Sequence, residues 1–474
     1  MMQSWPLLLL TACQPVIPLS GDGTDTGGGA DSAACDEAAC DSGQDTDDTD
    51  TGVEEIPGRV WEHPGVLILE VGQSIPEDDK VPGTLSVIRD HDGTLGDLSD
   101  VPIQWQGNIG IEHHGSSSSD FDKPSFRIEL RDEDGEDLDY ALLDLPSESD
   151  WVLYGPYSDK TLIRNAFSYG IGRLLSDGSG QWQPRHAFCE IYIDGRYGGA
   201  YLLLERIKRG DHRVDIPRPA ASAAEGDVTG GYILKVDQHR NEGWTTARGT
   251  PFDYHWPKHE NLSTEQIAYI HGWFDDLETV LASPGWDDPA TGYAAWMDVD
   301  SFVDHLLLNE FSHNVDALRL SAYMVKEAEE DGGLLRAGPF WDFNLGFGNA
   351  DYCNGWDTET AILDDRCGGA AQYPPWWDAF MADPEFTTRL RCRWESLRVD
   401  ELSDAALETR LDDLIEEAAP LEARDHQRWP TLGVELWPNW YVGETWDDEL
   451  GFMRTWTLER AAWMDAALPG LCAR

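Results

Sequence analysis

The chain has 474 residues, with 89 Asp or Glu against 34 Lys or Arg and a formal net charge of −55. That length exceeds one ordinary domain and fits one large domain or two fused lobes, and 41% hydrophobic residues with 21 Trp exclude wholesale disorder. The charge argues against a nucleic-acid binder, which must present a basic surface to phosphates, and against electrostatic docking on anionic lipid.

The acid is unevenly placed. Residues 1–58 hold 12 acids and no Lys or Arg, which leaves 77 acids against 34 bases, or −43, on the remainder. So acidic and lysine-poor a surface fits solubility where external salt screens self-repulsion. No stretch of about 18 apolar residues occurs, so no spanning helix is expected. The short apolar run Leu7-Leu-Leu-Leu10 leads into Thr11-Ala12-Cys13, which resembles a bacterial lipobox, where the Cys is lipidated and becomes the mature N-terminus. Residues 14–57, rich in Gly, Asp, Thr and Ser, then read as a disordered acidic tether before a folded domain at 58–474. That order predicts a protein exported to the outer surface or periplasm, touching membrane only through a lipid on Cys13.

The eight cysteines fit an oxidising compartment. Cys35–Cys40, Cys353–Cys367 and Cys392–Cys472 are the expected disulfides, and Cys189, inside an apolar run, is the expected buried free thiol. The absence of any Cys-x-x-Cys pair argues against zinc.

From residue 65 the pattern is that of short strands: 66–71, 84–89, a strand entering the small-residue loop Gly115-Ser-Ser-Ser-Ser119, and 125–130 with clean alternation. Residues 159–175 hold a 3.6-residue period and predict an amphipathic helix capped near Asp159. Residues 188–205 read as a hairpin around an Asp194-Gly195 turn, followed by a strand at 230–236. After about residue 262 helices are expected at 263–282, 299–311, 403–418 and 445–467, with strands at 323–326 and 335–340 around an acidic turn. The fold class is therefore α+β, with a β-rich N-lobe over about 60–240 and a mostly helical C-lobe over about 241–474.

Five segments then carry a resemblance. They are Gly110-Ile-Glu-His-His-Gly-Ser-Ser-Ser with Lys123-Pro-Ser-Phe-Arg-Ile; Trp151-Val-Leu-Tyr with Asp159 and Arg164-Asn165; the hairpin Glu190-Ile-Tyr-Ile-Asp-Gly-Arg-Tyr-Gly-Gly-Ala-Tyr-Leu-Leu-Leu-Glu205; Phe340-Trp-Asp-Phe-Asn-Leu-Gly-Phe-Gly348; and Arg391-Cys-Arg-Trp394. In this order they resemble the CotH (spore coat protein H) kinase family over nearly the whole of 65–470. The resemblance implies an atypical protein-kinase-like, two-lobed fold that transfers phosphate from ATP, with Mg²⁺ or Mn²⁺, to Ser or Thr of a protein.

Phosphoryl transfer needs a metal, a cation on the phosphates and a carboxylate for the hydroxyl proton. The small side chains of Ser116 and Ser117 leave backbone N–H groups available to phosphates, and Lys123 follows that loop as kinases place a phosphate-binding Lys. Asp316 stands where a catalytic-loop base would. Asp342, with Asn344, stands where the metal-binding Asp of a kinase would. Glu205 ends the strand that would lead into a hinge, and Arg164 and Asn165 at a helix start either reach nucleotide or cap the helix. Three departures weaken the kinase pattern: Asn344 replaces a second Asp, Ser321 stands where an Asn would hold a second metal, and His114 replaces an Arg. They keep open an alternative, a catalytically weak pseudokinase-like binding or structural module. A monomer is expected in either case, with no nucleic-acid partner.

Overall fold

The structure is a computed structural model that describes residues 64–89, 103–115, 121–237, 243–369 and 373–468. The expectations for Cys13, the tether, Cys35–Cys40, Ser116, Ser117 and Cys472 fall outside those residues. The described residues belong to one unit, Trp61–Arg474, of mixed α and β structure.

Seven strands close a barrel: β1 (Gly65–Glu70), β2 (Val81–Ile88), β3 (Ile103–His114), β4 (Ser125–Arg131), β5 (Asp150–Tyr154), β6 (His186–Ile193) and β7 (Arg196–Glu205). The order is β1-β2-β3-β4-β5-β7-β6, sealed by the parallel β1–β6 pair. Alternation explains the interior: Ile109 and Ile111, Phe126, Ile128 and Leu130, Trp151 and Leu153, and Tyr201 and Leu203 all point inward. Each fully buried Leu or Ile there contributes roughly 1.5–3 kcal/mol. Cys189 lies in the same interior as the expected free thiol.

The outward positions of the last strands, Val152, Phe188, Ala200, Leu202 and Leu204, join a second core shared with helix α1 (Arg164–Ser176). The expected helix start at Asp159 falls four residues short of the observed N-cap, Ile163. Asp159 nevertheless serves the helix, because its Oδ2 accepts from the Arg164 amide at 2.9 Å.

A second sheet runs β12-β11-β8-β10-β9, formed by β8 (Tyr232–Val236), β9 (Trp244–Thr245), β10 (Pro251–Trp256), β11 (Ala322–Lys326) and β12 (Leu335–Ala337). Strand β8, which sequence grouped with the preceding strands, pairs here with β10 and β11. Helices α2 (Thr264–Leu281), α3 (Val299–Ser312), α4 (Ile362–Asp365), α5 (Trp376–Ala382), α6 (Pro384–Val399), α7 (Asp404–Arg428) and α8 (Trp446–Ala467) complete the fold. Ser263, Asp298, Ser403 and Thr445 cap α2, α3, α7 and α8 with their side chains. Among the described residues no helix is long and apolar enough to cross a membrane.

Helix α7 runs ten residues beyond the expected end at 418, through Pro420. The missing N–H of Pro420 is tolerated because Ala418, Leu421 and Asp425 are buried around it. That extension reaches the β6–β7 hairpin, where Gly199 leaves room: a Cβ there would lie 2.5 Å from Asp425 Oδ1. Cys353–Cys367 forms the expected disulfide, and Cys392 is also disulfide-bonded.

Candidate functional site

The site grows from a loop held on two sides. Leaving β12, the chain passes Phe340 and Trp341 to Asp342, whose φ of 68° is left-handed. Such a conformation in a non-glycine residue persists only where its surroundings impose it. Three residues at the start of α1 do so. Tyr169 Oη accepts from the Asp342 amide at 3.3 Å, Asn165 Oδ1 accepts from the Phe343 amide at 2.8 Å, and Arg164 Nε donates to the Gly346 carbonyl at 3.2 Å. From the other side, Asn314 Nδ2 donates to the Asp342 carbonyl at 3.0 Å, and its Oδ1 accepts from the Asp316 amide at 3.2 Å. The two expected functional acids are thus brought together through one amide.

Their electrostatics differ from those of ordinary surface acids. Burial, reinforced by Asp316 and then Asp237, pushes the Asp342 carboxyl up to about 7, with Lys235 acting against it. Among the described residues nothing donates a hydrogen bond to that carboxylate. Asp316 is also raised, chiefly by burial; Arg319, whose Nη2 lies 2.7 Å from its Oδ1, pulls the other way.

A group of cations surrounds His114. In β3 and β4 the register sets Glu112 against Arg127 on the outward face of the barrel, with His114 on the same face. Arg206 follows β7, and Lys235 projects from β8 on the sheet face that carries Ile233 and Tyr323. Arg127, Arg206 and Lys235 all depress the pKa of His114 after burial has done so, which keeps that imidazole neutral. The His114 and Trp341 rings lie 6.5 Å apart and join this group to the Asp342 loop. Each cation has a carboxylate beside it: Arg127 with Glu112 at 3.5 Å, Arg206 with Asp150 at 2.7 Å, and Lys235 with Asp237 at 2.5 Å. All three side chains retain 23–37% exposure, so they can meet a ligand.

The other expected residues lie deeper. Lys123 is buried, its Nζ 2.7 Å from Asp425 Oδ1, which also accepts from the Ala200 amide at 2.7 Å. This pair fastens the barrel to α7. Arg164 forms a buried pair with Asp159 at 2.7 Å and grips the Asp342 loop rather than facing solvent. Glu205 is fully buried beneath Arg185 and Arg213, both at 2.8 Å. Asn344 lies two residues beyond Asp342, its carbonyl accepting from Asn349 Nδ2 at 2.7 Å.

A family model described as CotH kinase protein matches residues 111–464, most of the chain. The chain belongs to the CotH kinase family. None of the curated proteins compared with it matches. The CotH match begins inside β3 and ends inside α8, so it takes in Arg127, Arg206, Lys235, Asp316 and Asp342 together.

Among the described residues no group of three or more His, Cys, Asp or Glu is placed to hold a metal ion. Mg²⁺ does not require one: it keeps several waters and uses one or two carboxylates plus substrate phosphates. Asp342, a carboxylate with no donor of its own, suits that role, with Asp316 beside it and the Asn344 amide oxygen two residues on. Sequence reasoning missed Arg127, Arg206, Lys235 and Asp237. The signal for Arg127 was present in the alternation of Phe126-Arg-Ile-Glu-Leu, which points it outward. Nothing in a single strand tells that its outward face meets a second sheet.

Proposed function

We propose that the chain is an atypical kinase that transfers the γ-phosphoryl group of ATP to a Ser or Thr hydroxyl of an exported protein. The observation that carries this reading is the Asp316–Asp342 pair, with Lys235 acting on Asp342 and Arg127, Arg206 and Lys235 gathered around His114 beside that loop, inside a chain of the CotH kinase family. The barrel acts as the N-lobe, and the second sheet with its helices acts as the C-lobe. The cations receive the phosphates, and the backbone at Glu205 passes behind the adenine. Lys123 keeps the barrel in register with α7. Mg²⁺ or Mn²⁺, held by Asp342 and Asn344, supplies charge neutralisation on the phosphate oxygens when bound. Asp316 accepts the hydroxyl proton as the new O–P bond forms and the bond from the γ-phosphorus to ADP breaks. Arg164, Asn165 and Tyr169 act by holding the Asp342 loop. A lipid on Cys13 would keep a monomeric enzyme at the outer surface or periplasm.

Two features favour the pseudokinase-like reading: Arg319 already engages the Asp316 carboxylate, and Ser321 supplies no amide for a second metal. Thermal-shift titration of the full chain with ATP and each metal, followed by transfer of radiolabelled γ-phosphate, separates the two. Metal-dependent stabilisation with transfer, lost in Asp316→Asn, supports the kinase. Stabilisation without transfer supports the binding module, and no response to nucleotide with either metal overturns the kinase reading.

A further inference from the structure

Exposed apolar side chains gather at one place on the surface. Among the described residues five large hydrophobic side chains are exposed, and three of them, Val434, Trp437 and Trp440, lie in one short segment. Trp437 keeps 57% exposure and Trp440 keeps 50%. Each is backed by a second ring: Trp437 lies 6.2 Å from Tyr352 with 10° between the planes, and Trp440 lies 4.2 Å from Trp356 with 16°. One face of each indole is thus covered, and the exposure falls on the other. The backbone beneath is held as well. The Asp351 amide donates to the Pro438 carbonyl at 2.8 Å, and the Trp440 amide donates to the Asn349 carbonyl at 3.1 Å. Between them Asn439 Nδ2 donates to the Ser158 carbonyl at 2.7 Å and to Asn349 Oδ1 at 2.8 Å. Rings fixed in this way lose little entropy when a partner covers them.

Charge selects that partner. The two segments that carry the rings, residues 349–365 and 430–448, hold nine acids and no Lys, Arg or His. Asp351, joined to Pro438, and Glu435, two residues before Trp437, are both exposed. The cations that reach this region from elsewhere are enclosed or paired. Lys160 donates to the Val434 carbonyl at 2.7 Å with its side chain 1% exposed, and Arg319 lies 2.7 Å from Asp316. Elsewhere the chain lays its own arginines on tryptophan, Arg428 over Trp429 at 3.8 Å and Arg460 over Trp463 at 4.3 Å. Among the described residues no Lys or Arg lies over Trp437 or Trp440. An indole face attracts a cation through its quadrupole, and the surrounding negative field adds to that attraction. The same field turns other occupants away. Residues 1–58, with 12 acids and no Lys or Arg, are repelled, and a second copy would bring −43 of its own over residues 59–474. A neutral glycan gains nothing from the acids.

We infer that the Trp437–Trp440 shelf docks a basic segment of a partner protein, its Arg or Lys side chains lying on the two open indole faces and their charges meeting Asp351 and Glu435. Isothermal titration of the full chain with a short peptide of alternating Arg and Gly, and separately with cellohexaose, tests it. The expected result is saturable peptide binding, weakened about tenfold when Trp437→Ala and Trp440→Ala are combined, a change that leaves net charge untouched. Asp351→Asn with Glu435→Gln keeps both rings and should weaken binding severalfold, as should added salt in the wild type. The peptide carries no Ser or Thr, so its binding stands or falls apart from the kinase reading. Unchanged binding in either folded double variant would mean that the peptide follows net charge alone, and the inference would be wrong. Saturable binding of cellohexaose in place of the peptide would assign the shelf to a glycan and overturn it equally.

Discussion

Asn314 Nδ2 donates to the Asp342 carbonyl at 3.0 Å, so a residue on the Asp316 loop fixes the backbone that presents the second acid. The same side chain accepts from the Asp316 amide, and it is 4% exposed. Asn314 is therefore a positioning residue: it touches neither ATP nor acceptor in the proposed scheme. Asn314→Ala should lower kcat by about 10–100-fold, because displacements near 1 Å can cost that much, while KM for ATP changes little. Asp316→Asn, by contrast, removes the base and should cost about 10²–10⁴-fold. Steady-state kinetics on both variants checks the split. A large rise in KM for Asn314→Ala with kcat intact would contradict the assignment.

The cations make a second prediction. Lys235 and Arg206 lie on different elements yet act on the same His114, so they share one field. Lys235→Gln and Arg206→Gln should each raise the KM for ATP by about tenfold, equivalent to about 1.4 kcal/mol, with the double variant departing from additivity because the two are close. Raising ionic strength should weaken ATP binding more in the wild type than in the double variant. Unchanged KM values in both single variants would remove these residues from the nucleotide site.

Lys123 separates structure from catalysis. Its ammonium is enclosed, and burial depresses its pKa against the raising effect of Asp425. Removing one member of a buried ion pair typically costs about 3–5 kcal/mol, because the other is left charged without a partner. Lys123→Met should show that loss by urea denaturation, and Lys123→Met with Asp425→Leu should recover much of it. Were Lys123 chiefly a phosphate ligand, the single variant would instead keep its stability and lose ATP affinity.

How far the sequence reveals this protein depends on the distance over which a signal acts. Alternation and capping are local, so the β6–β7 hairpin, β8, α2 and α8 emerge from sequence within one or two residues. The Asp342 turn and Asp316 are legible only through the order of the family motifs, since Asp alone is common in so acidic a chain. Strand β5 shows in the sequence only as the motif Trp151-Val-Leu-Tyr, because five residues carry too little alternation to declare themselves. Lys123 drew attention as one of seven lysines, yet its partner Asp425 lies 302 residues away on a helix that passes an internal proline. Arg127, Arg206 and Lys235 come together only when a barrel face meets a second sheet, and no local pattern encodes that meeting.

Acid sensitivity supplies the last prediction. His305 is 3% exposed, stacked with Phe340 at 5.5 Å and Trp377 at 6.2 Å, and neither ring nitrogen has a hydrogen-bond partner. Burial alone lowers its pKa to about 4. A histidine whose folded pKa lies below its unfolded value of about 6.5 binds fewer protons when folded, so its contribution to stability falls as pH drops from about 6.5 towards 4 and is constant above. At pH 5 the penalty is about 2 kcal/mol. His186 and His255, each near 3, and His313, near 4, act in the same direction, so the wild type should lose stability steeply on acidification. His305→Phe keeps the ring between its two neighbours and removes one of these protonation penalties. Thermal unfolding should show the variant gaining more over wild type at pH 5 than at pH 8, with the excess close to that 2 kcal/mol. An equal difference at the two pH values would mean that His305 is protonated in the folded protein and that its aromatic surroundings tolerate the charge.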